Sequence, residues 1–468
     1  MLRNRNVNES LASHAYFRMS YKNRISAYNI PGDRMQNSIW TQNIKLPSFP
    51  CLLQEEKTDV LIIGGGMAGL LCAWQLKQAG VDCLLIEAGR VANGVTAGTT
   101  AKITSQHCLI YQKLIQTIGE DKSRGYWRVN QLALEEYRKL ATNFLCDFEI
   151  KDNYIYTTDS DEPLERELEA LCRLGIPAEL ARNLPLPIST CGAVCFKNQA
   201  QFHPLNFLAG IVKELNIREN TRALNIKKGQ VVTNRGIIRA EKIIVATHFP
   251  ILNRRGLYFM KQYQSRSYVL ALSGAQNVNG MYLDGSGNGF SFRNQGELLL
   301  LGGGAHRTGK PSPGWEPLTS FARAHYPACR EVARWAAQDC MTLDGLPYIG
   351  QYSPATPWLY VATGFNKWGM TGAMTAAMVL RDQILGRENG YGEIFDPARS
   401  MFHRQLGVNL LESAIHLLTP TRPRCPHLGC ALQWNPQEHS WDCPCHGSRF
   451  DEGGQLLDSP ATEELRRK

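Results

Sequence analysis

The sequence predicts an α/β protein that contains a nucleotide-binding βαβ unit and ends in a small β-rich module with metal ligands. Three observations carry this expectation. A short apolar run, Val60–Ile63, leads into a glycine-rich turn and then a helical stretch. Strand-like runs recur at 237–246, 267–272, 297–301 and 359–362, with amphipathic helical segments elsewhere in the chain. Four of the fourteen cysteines, Cys425, Cys430, Cys443 and Cys445, crowd into a short stretch with His427 and His446.

Composition narrows the class. The chain has 468 residues, 43% hydrophobic and 20% charged, which fits a globular protein and excludes a disordered or fibrous one. The net charge is +9, and about half of it comes from residues 1–50. The rest is too mildly basic to argue for nucleic acid. The uncharged run Val60–Leu76 holds four glycines, whereas a spanning helix needs about 20 mostly apolar residues. Basic residues near the N-terminus are followed by no apolar stretch of the kind that makes a secretory signal. The protein is therefore expected to be cytoplasmic and without a transmembrane segment. The ten other cysteines are scattered, as free buried thiols are.

Taken in order, residues 1–55 read as an N-terminal extension, polar to about 35 and then extended around Trp40, Pro47 and Phe49. Val60–Ile63 is long enough for a buried parallel strand. A helix runs to Ala79, closed by Gly80, and Val81–Ile86 is a second strand, completing the βαβ unit. Ala133, Tyr137, Leu140 and Phe144 share one helical face. Leu164, Leu168, Leu171 and Leu174 share another, with Gly175 as C-cap. A helix is expected from Thr371 to Leu385, and the loop-like 388–397 marks a boundary.

Gly64-Gly65-Gly66-Met67-Ala68-Gly69 fits G-x-G-x-x-G between a strand and a helix, and Glu87 follows the next strand. Gly64 makes the turn, Gly66 lets a pyrophosphate approach the backbone, and Gly69 lets helix and strand close on each other. The helix N-terminus supplies free N–H groups to the phosphates, and Glu87 can accept ribose hydroxyls. A single complete fingerprint favours FAD over NAD. So do a strand ending at Thr247 and a second strand–turn–helix, Leu359–Gly364 followed by Gly369-Met370-Thr371.

At these residues the chain resembles the D-amino-acid-oxidase-like flavoproteins, which include glycine and sarcosine oxidases and gamma-glutamylputrescine oxidoreductases. The resemblance implies a glutathione-reductase-type FAD-binding Rossmann lobe (56–110, 190–255 and 335–390) with an inserted mixed-sheet substrate lobe (111–189 and 256–334). It also implies flavin contacts from Ala88, Arg90, Thr99, Thr100, Ala101 and Lys102. Candidates for the substrate side are Tyr268, His306, Arg307, Lys367 and Trp368. His203 reads as functional or structural, and His248, after the Thr247 strand end, as able to approach the flavin.

Cys425-Pro-His427 and Cys443-Pro-Cys445-His446 form C-x-H…C-x-x-H with 15 residues between the halves. Rieske clusters hold one iron by two thiolates and the other by two imidazoles, which would be Cys425 and Cys443, and His427 and His446. Zinc is the rival for a mixed Cys/His set. The longer motifs resemble the Rieske subunits of cytochrome bc complexes. That resemblance implies a Cys430–Cys445 disulfide joining the loops and a sulfur hydrogen bond from Ser448. Phe450 stands where those relatives carry Tyr, so a lower potential is expected. A linker (391–422) precedes the module (423–468). It is too short for the usual base strands, and the cluster loops are expected to lean on the flavin body.

Both sites together predict an FAD-dependent dehydrogenase. It would oxidise an amine or amino acid and pass electrons singly through a 2Fe-2S cluster to a ferredoxin-like protein or a quinone. The alternatives are an oxidase using dioxygen with a structural or redox-sensing cluster, and a non-enzymatic flavoprotein with a metal-binding interaction module.

Overall fold

The computed structural model describes residues 38–465 except 43, 45, 253, 254, 288 and 422. Most of the expected N-terminal extension, residues 1–37, lies outside the described residues.

The apolar run near residue 60 forms the strand Glu56–Ile63, flanked in parallel by Cys83–Ile86 and Ile237–Val245. Leu359–Thr363 continues the parallel set beyond Ile237–Val245, and Tyr348–Gln351 closes that edge antiparallel. Ile217–Arg218 closes the other edge, and the hairpin 223–233 hangs from the start of Ile237–Val245. Parallel strands are covered on both faces, which is why they read as unbroken apolar runs rather than alternating ones. Ten of the twelve residues of the helix Met67–Gln78 are buried, and it lies beside Gly369–Ile384. Because the central strands are parallel, the turns after Ile63, Ile86, Val245 and Thr363 all emerge at one edge.

The second sheet has nine strands. Its path runs Arg330–Thr342, Gln262–Ser273, Leu298–Arg307, Ser291–Gln295, Met281–Asp284, Glu149–Thr157, Gly192–Gln201 and Lys102–Ile103, with Glu179–Ala181 on Gly192–Gln201. Only the Met281–Asp284 and Glu149–Thr157 pairing is parallel. Lys102–Ile103, Gly192–Gln201 and most of Arg330–Thr342 therefore hydrogen-bond into this sheet, although the sequence assigns their residues to the nucleotide lobe. The strands are short of sequence context there: apolar runs show that a strand exists, not which sheet it joins.

The helix Tyr111–Ala141 carries the face formed by Ala133, Tyr137 and Leu140, and Phe144 lies just past its end. Glu162–Leu174 ends as expected at Gly175, in a left-handed conformation (φ +67°).

The region expected as linker contains a full helix, Arg404–Leu418. After it come four short antiparallel strands, Gln433–Asn435, Ser440–Asp442, Arg449–Asp451 and Leu456–Asp458. All four follow the first cysteine–histidine pair. Their small apolar centre is built from Cys425, Cys430, Leu432, Cys443, Cys445, Phe450 and Ala461.

Candidate functional site

The nucleotide cradle is made mostly of backbone. Gly64 has φ +112°, and a Cβ there would lie 2.4 Å from the Ala246 carbonyl oxygen. A Cβ on Gly69 would meet the Gly64 carbonyl oxygen at 1.9 Å, so only glycine lets helix and strand close. Gly66 is the N-cap and has no side chain to occupy the helix's free N–H groups, which leaves room for an anion. The Glu87 carboxylate is fixed by the backbone N–H groups of Gly65 (2.7 Å) and Gly89 (2.8 Å). Ala88 follows it on the exposed side of the turn. Arg90 is in the same loop, but its guanidinium pairs with buried Glu219 at 2.7 Å.

The next segment, expected to wrap the cofactor, is hydrogen-bonded to the start of the cradle helix. The Met67 N–H donates to the Thr96 hydroxyl at 3.0 Å. The Ala101 N–H donates to the Thr99 hydroxyl (2.9 Å), and Arg293 donates to the carbonyl oxygens of Thr100 and Ala101. Lys102 is buried with its amine 3.4 Å from the Thr100 hydroxyl; burial, then neighbouring Arg293, lowers its pKa to about 7. At the second strand–turn–helix, Gly364 has φ +73°, and a Cβ there would meet the Thr342 side chain at 2.3 Å. Gly369 and Met370 open the helix. Thr371 is tied to Thr104, accepting from its N–H (3.0 Å) and donating to its carbonyl (2.8 Å). The Thr247 hydroxyl donates to the Phe249 carbonyl (2.8 Å), shaping the turn after Val245.

The candidate substrate-side residues separate. Lys367, at φ +74°, and Trp368 lie between Gly364 and Gly369; Trp368 stacks on His107 at 4.9 Å. His107 is buried, bonded to Tyr126 (2.5 Å) and the Thr104 carbonyl (2.8 Å), and burial lowers its pKa to about 3. No motif marks it in the sequence. Tyr268, His306 and Arg307 sit on the second sheet and are turned to the C-terminal module. Arg307 donates to the carbonyls of Pro444 (2.9 Å) and Cys445 (3.1 Å) and to Asn409 (2.9 Å). The Tyr268 hydroxyl donates to Glu438 (3.0 Å), and its ring stacks on His306. His203 has a structural place: its Nδ1 accepts the Asn206 N–H as the cap of the helix Pro204–Ile211.

The cysteine–histidine loops face the flavin body. The His427 and His446 rings are 4.9 Å apart, and both stand near Phe249, at 6.4 and 6.5 Å. Phe259 flanks His446 at 6.0 Å. His446 is buried, and its ring reaches the Cys443 thiol and no other polar group among the described residues. A buried imidazole aimed at a group of buried thiols fits a metal centre. The Sγ atoms of Cys430, Cys443 and Cys445 lie within 4.8 Å of one another. Hydrogen bonds from Cys425, then Cys430 and Cys445, hold the Cys443 thiol well below its ordinary pKa, the ionised form a metal requires. The expected Cys430–Cys445 disulfide is not formed: both thiols are free, and each bonds Cys443 as well as the other. Ser448 bonds the Cys425 sulfur, and buried Phe450 supplies no donor.

Residues of the second sheet seat the module. Gln264 donates to the carbonyls of His446 (3.0 Å) and Ser459 (2.7 Å), and Gln338 to that of Gly447 (2.9 Å). Gly309 and Gly447 permit close approach: a Cβ on either would lie 2.5 Å from Pro444 and Gln264 respectively. Beside them is a buried charge network. Arg266 and Arg449 both pair with Glu438, and Arg449 also pairs with Asp442 and Asp458 at 3.0 Å. No alternation marks this set in the sequence: Ser265 and Ser267 stand between Gln264, Arg266 and Tyr268, so the run is polar on both faces of the strand.

Comparison with known proteins agrees with both halves. The model of the FAD-dependent oxidoreductase (DAO) family matches residues 59–383. The chain belongs to this family. The Rieske [2Fe-2S] domain model matches residues 409–467, so its match begins inside the helix Arg404–Leu418. The chain is 34% identical to YhfW of Bacillus subtilis (strain 168), a protein named for a Rieske 2Fe-2S centre. That likeness covers 91% of this chain and 96% of YhfW. Among solved structures, L-proline dehydrogenase from P. horikoshii is similar, with TM-score 0.63 and 19% identity over 74% of this chain and 98% of that one. Glycine oxidase from Geobacillus kaustophilus is similar at TM-score 0.59 and 18% identity, over 74% of this chain and 99% of that one. This is thus an FAD oxidoreductase with a Rieske domain, and its cofactors are FAD and a 2Fe-2S cluster. When bound, FAD supplies two-electron chemistry and the cluster single-electron chemistry. The glycine cradle, Glu87 and the two helix N-termini would hold the first. Cys425, Cys443, His427 and His446 are the ligands the motif assigns to the second.

Proposed function

We propose that this flavoprotein is a dehydrogenase that oxidises the C–N bond of an amine or amino acid and delivers the electrons one at a time through its Rieske domain. One observation carries the reading: the histidine edge of the Rieske domain faces Phe249, just past the nucleotide-lobe strand Ile237–Val245. Phe249 approaches both imidazole ligands and lies two residues beyond Thr247, at the edge where the cradle turns converge. From the second sheet, Gln264, Gln338 and Arg307 hold carbonyls of the second ligand loop. A domain that served only to bind a metal or a partner would not need its imidazole edge buried against the flavin lobe. In this reading Arg307 and Tyr268 are positioning residues for the Rieske loops, while Lys367, Trp368 and His107 stand nearer the flavin. The likeness to an L-proline dehydrogenase and a glycine oxidase supports the choice of an amine or amino acid.

Anaerobic rapid mixing of the holoprotein with a panel of amines and amino acids tests this. Flavin absorbance should bleach with one of them, and the reduced-cluster EPR signal should then grow. Flavin that bleaches while the cluster stays oxidised overturns the proposal.

A further inference from the structure

The helix Arg404–Leu418 is inside out. Its inward side is polar. Asn409 bonds Arg307 and the Met260 carbonyl, Glu412 pairs with Lys310 at 2.7 Å, and His416 is buried. Its outward side is apolar: Val408, Leu411, Ile415 and Leu418 form one ridge at helical spacing, flanked by Leu410 and Leu417, all exposed. Leu411 is 63% exposed and Leu418 82%, and Phe402, in the turn before the helix, is 92% exposed. A surface helix of a globular protein normally shows the reverse pattern. A contiguous exposed apolar face marks an interaction site.

The helix also touches both cluster loops. The Ala431 N–H donates to the His416 carbonyl (2.8 Å), and the Cys445 thiol points at the Glu412 carbonyl (3.9 Å). Leu428, inside the first ligand loop, is exposed as well. Whatever covers this face lies about one helix diameter, roughly 10 Å, from the cluster ligands.

Charge selects the occupant. Arg404 is the only charged side chain on the outward face, Glu412 is turned inward, and Arg424, whose guanidinium donates to the carbonyls of Leu417, Thr419 and Gly429, adds a positive charge past the helix end. An apolar ridge with basic ends and no acidic group complements an anionic lipid surface. We propose that this face rests in the headgroup–acyl boundary of an anionic bilayer, so that the electron acceptor is a lipid-dissolved quinone. Two electrons from substrate, delivered singly, together with two protons would convert the quinone to its quinol. The acceptor rests on the dehydrogenase reading; the lipid contact does not, and it is measured apart from turnover.

The test is flotation of the full-length holoprotein with phosphatidylcholine–phosphatidylglycerol vesicles. The wild type should float, and Leu411→Glu/Ile415→Glu should lower the floated fraction about tenfold or more with flavin and EPR spectra unchanged. If that pair disturbs the fold, Phe402→Ser/Leu418→Ser, at the two most exposed positions, should give the same loss. A wild type that stays with the soluble fraction overturns the proposal, as does undiminished flotation of spectrally intact variants. A wild-type dimer split by the substitutions assigns the face to a second copy and also overturns it. Flavin bleaching by substrate in detergent-free solution is expected to be equal in all variants, so failure of the dehydrogenase reading shows separately.

Discussion

In the nucleotide cradle, the defining contacts join residues close in sequence. Gly65 and Gly89 hold Glu87, and Gly69 closes on Gly64, all within one βαβ unit. In the Rieske domain, the ligands come from two compact loops, but the loops are seated by Gln264, Arg266, Arg307 and Gln338, more than 100 residues earlier. Backbone geometry makes the first site. Long-range side-chain contacts and buried charge place the second. A local motif can therefore announce chemistry completely and still say little about where that chemistry is delivered.

The largest test strikes the seat. Glu438 stands between Arg266 and Arg449, all three buried. Glu438→Ala leaves two guanidinium groups facing each other without that carboxylate, and breaking such a buried pair costs roughly 3–5 kcal/mol. Urea unfolding should then show the cluster absorbance lost well before flavin release. Coincident transitions, as tight as in the wild type, would merge the two regions into one unit and break the contrast.

The converse variant is Gly69→Ala. Its Cβ falls 1.9 Å from a backbone oxygen, and overpacking of this kind costs about 3 kcal/mol. FAD should be lost on desalting while the EPR signature of the cluster persists. Full FAD occupancy in the purified variant would refute the local account of the cradle.

A smaller effect follows from pH. Burial alone would raise the pKa of Glu438, but Arg266 and then Arg449 overcome it and hold the carboxyl at about 2 instead of 4.5. A carboxylate whose pKa is depressed by folding contributes stability above its ordinary pKa and loses it as pH falls through the folded value. Stability of the Rieske domain should thus be insensitive to this group from neutrality to about pH 5 and fall between about 4.5 and 2. Glu438→Gln should abolish that slope, which urea titrations at stepped pH would measure.

The smallest expected change is in potential. Ser448 already bonds the Cys425 sulfur, while buried Phe450 has no hydroxyl to offer. Phe450→Tyr should raise the midpoint potential, because hydrogen bonds to the cluster sulfurs stabilise the reduced state. Redox titration of the two proteins reads this directly, and an unchanged midpoint would remove Phe450 as the tuning position.

Much of this was legible before any coordinates. G-x-G-x-x-G between strand and helix marks the cradle because phosphate binding at a helix N-terminus requires that order. The C-x-H…C-x-x-H pair marks the cluster because ligand spacing is local. Less legible were the partners of Arg90, Tyr268 and Arg307. Each is a polar residue in a plausible stretch, yet Arg90 answers buried Glu219, and the other two answer the Rieske loops. Sheet membership was equally hidden for Gly192–Gln201 and Lys102–Ile103, since strand pairing is decided by neighbours distant in sequence.

By itself, the order of residues determined the cofactors and the βαβ unit, because each depends on spacing within a few dozen positions, and the same spacing is what assigns a ligand set to the cluster. Tertiary structure alone decided that the imidazole edge meets Phe249, that Glu438 is held between two arginines, and that the helix Arg404–Leu418 turns its apolar side outward. Those outcomes depend on which surfaces come together, and helical periodicity reveals an apolar face without saying whether protein or something else covers it.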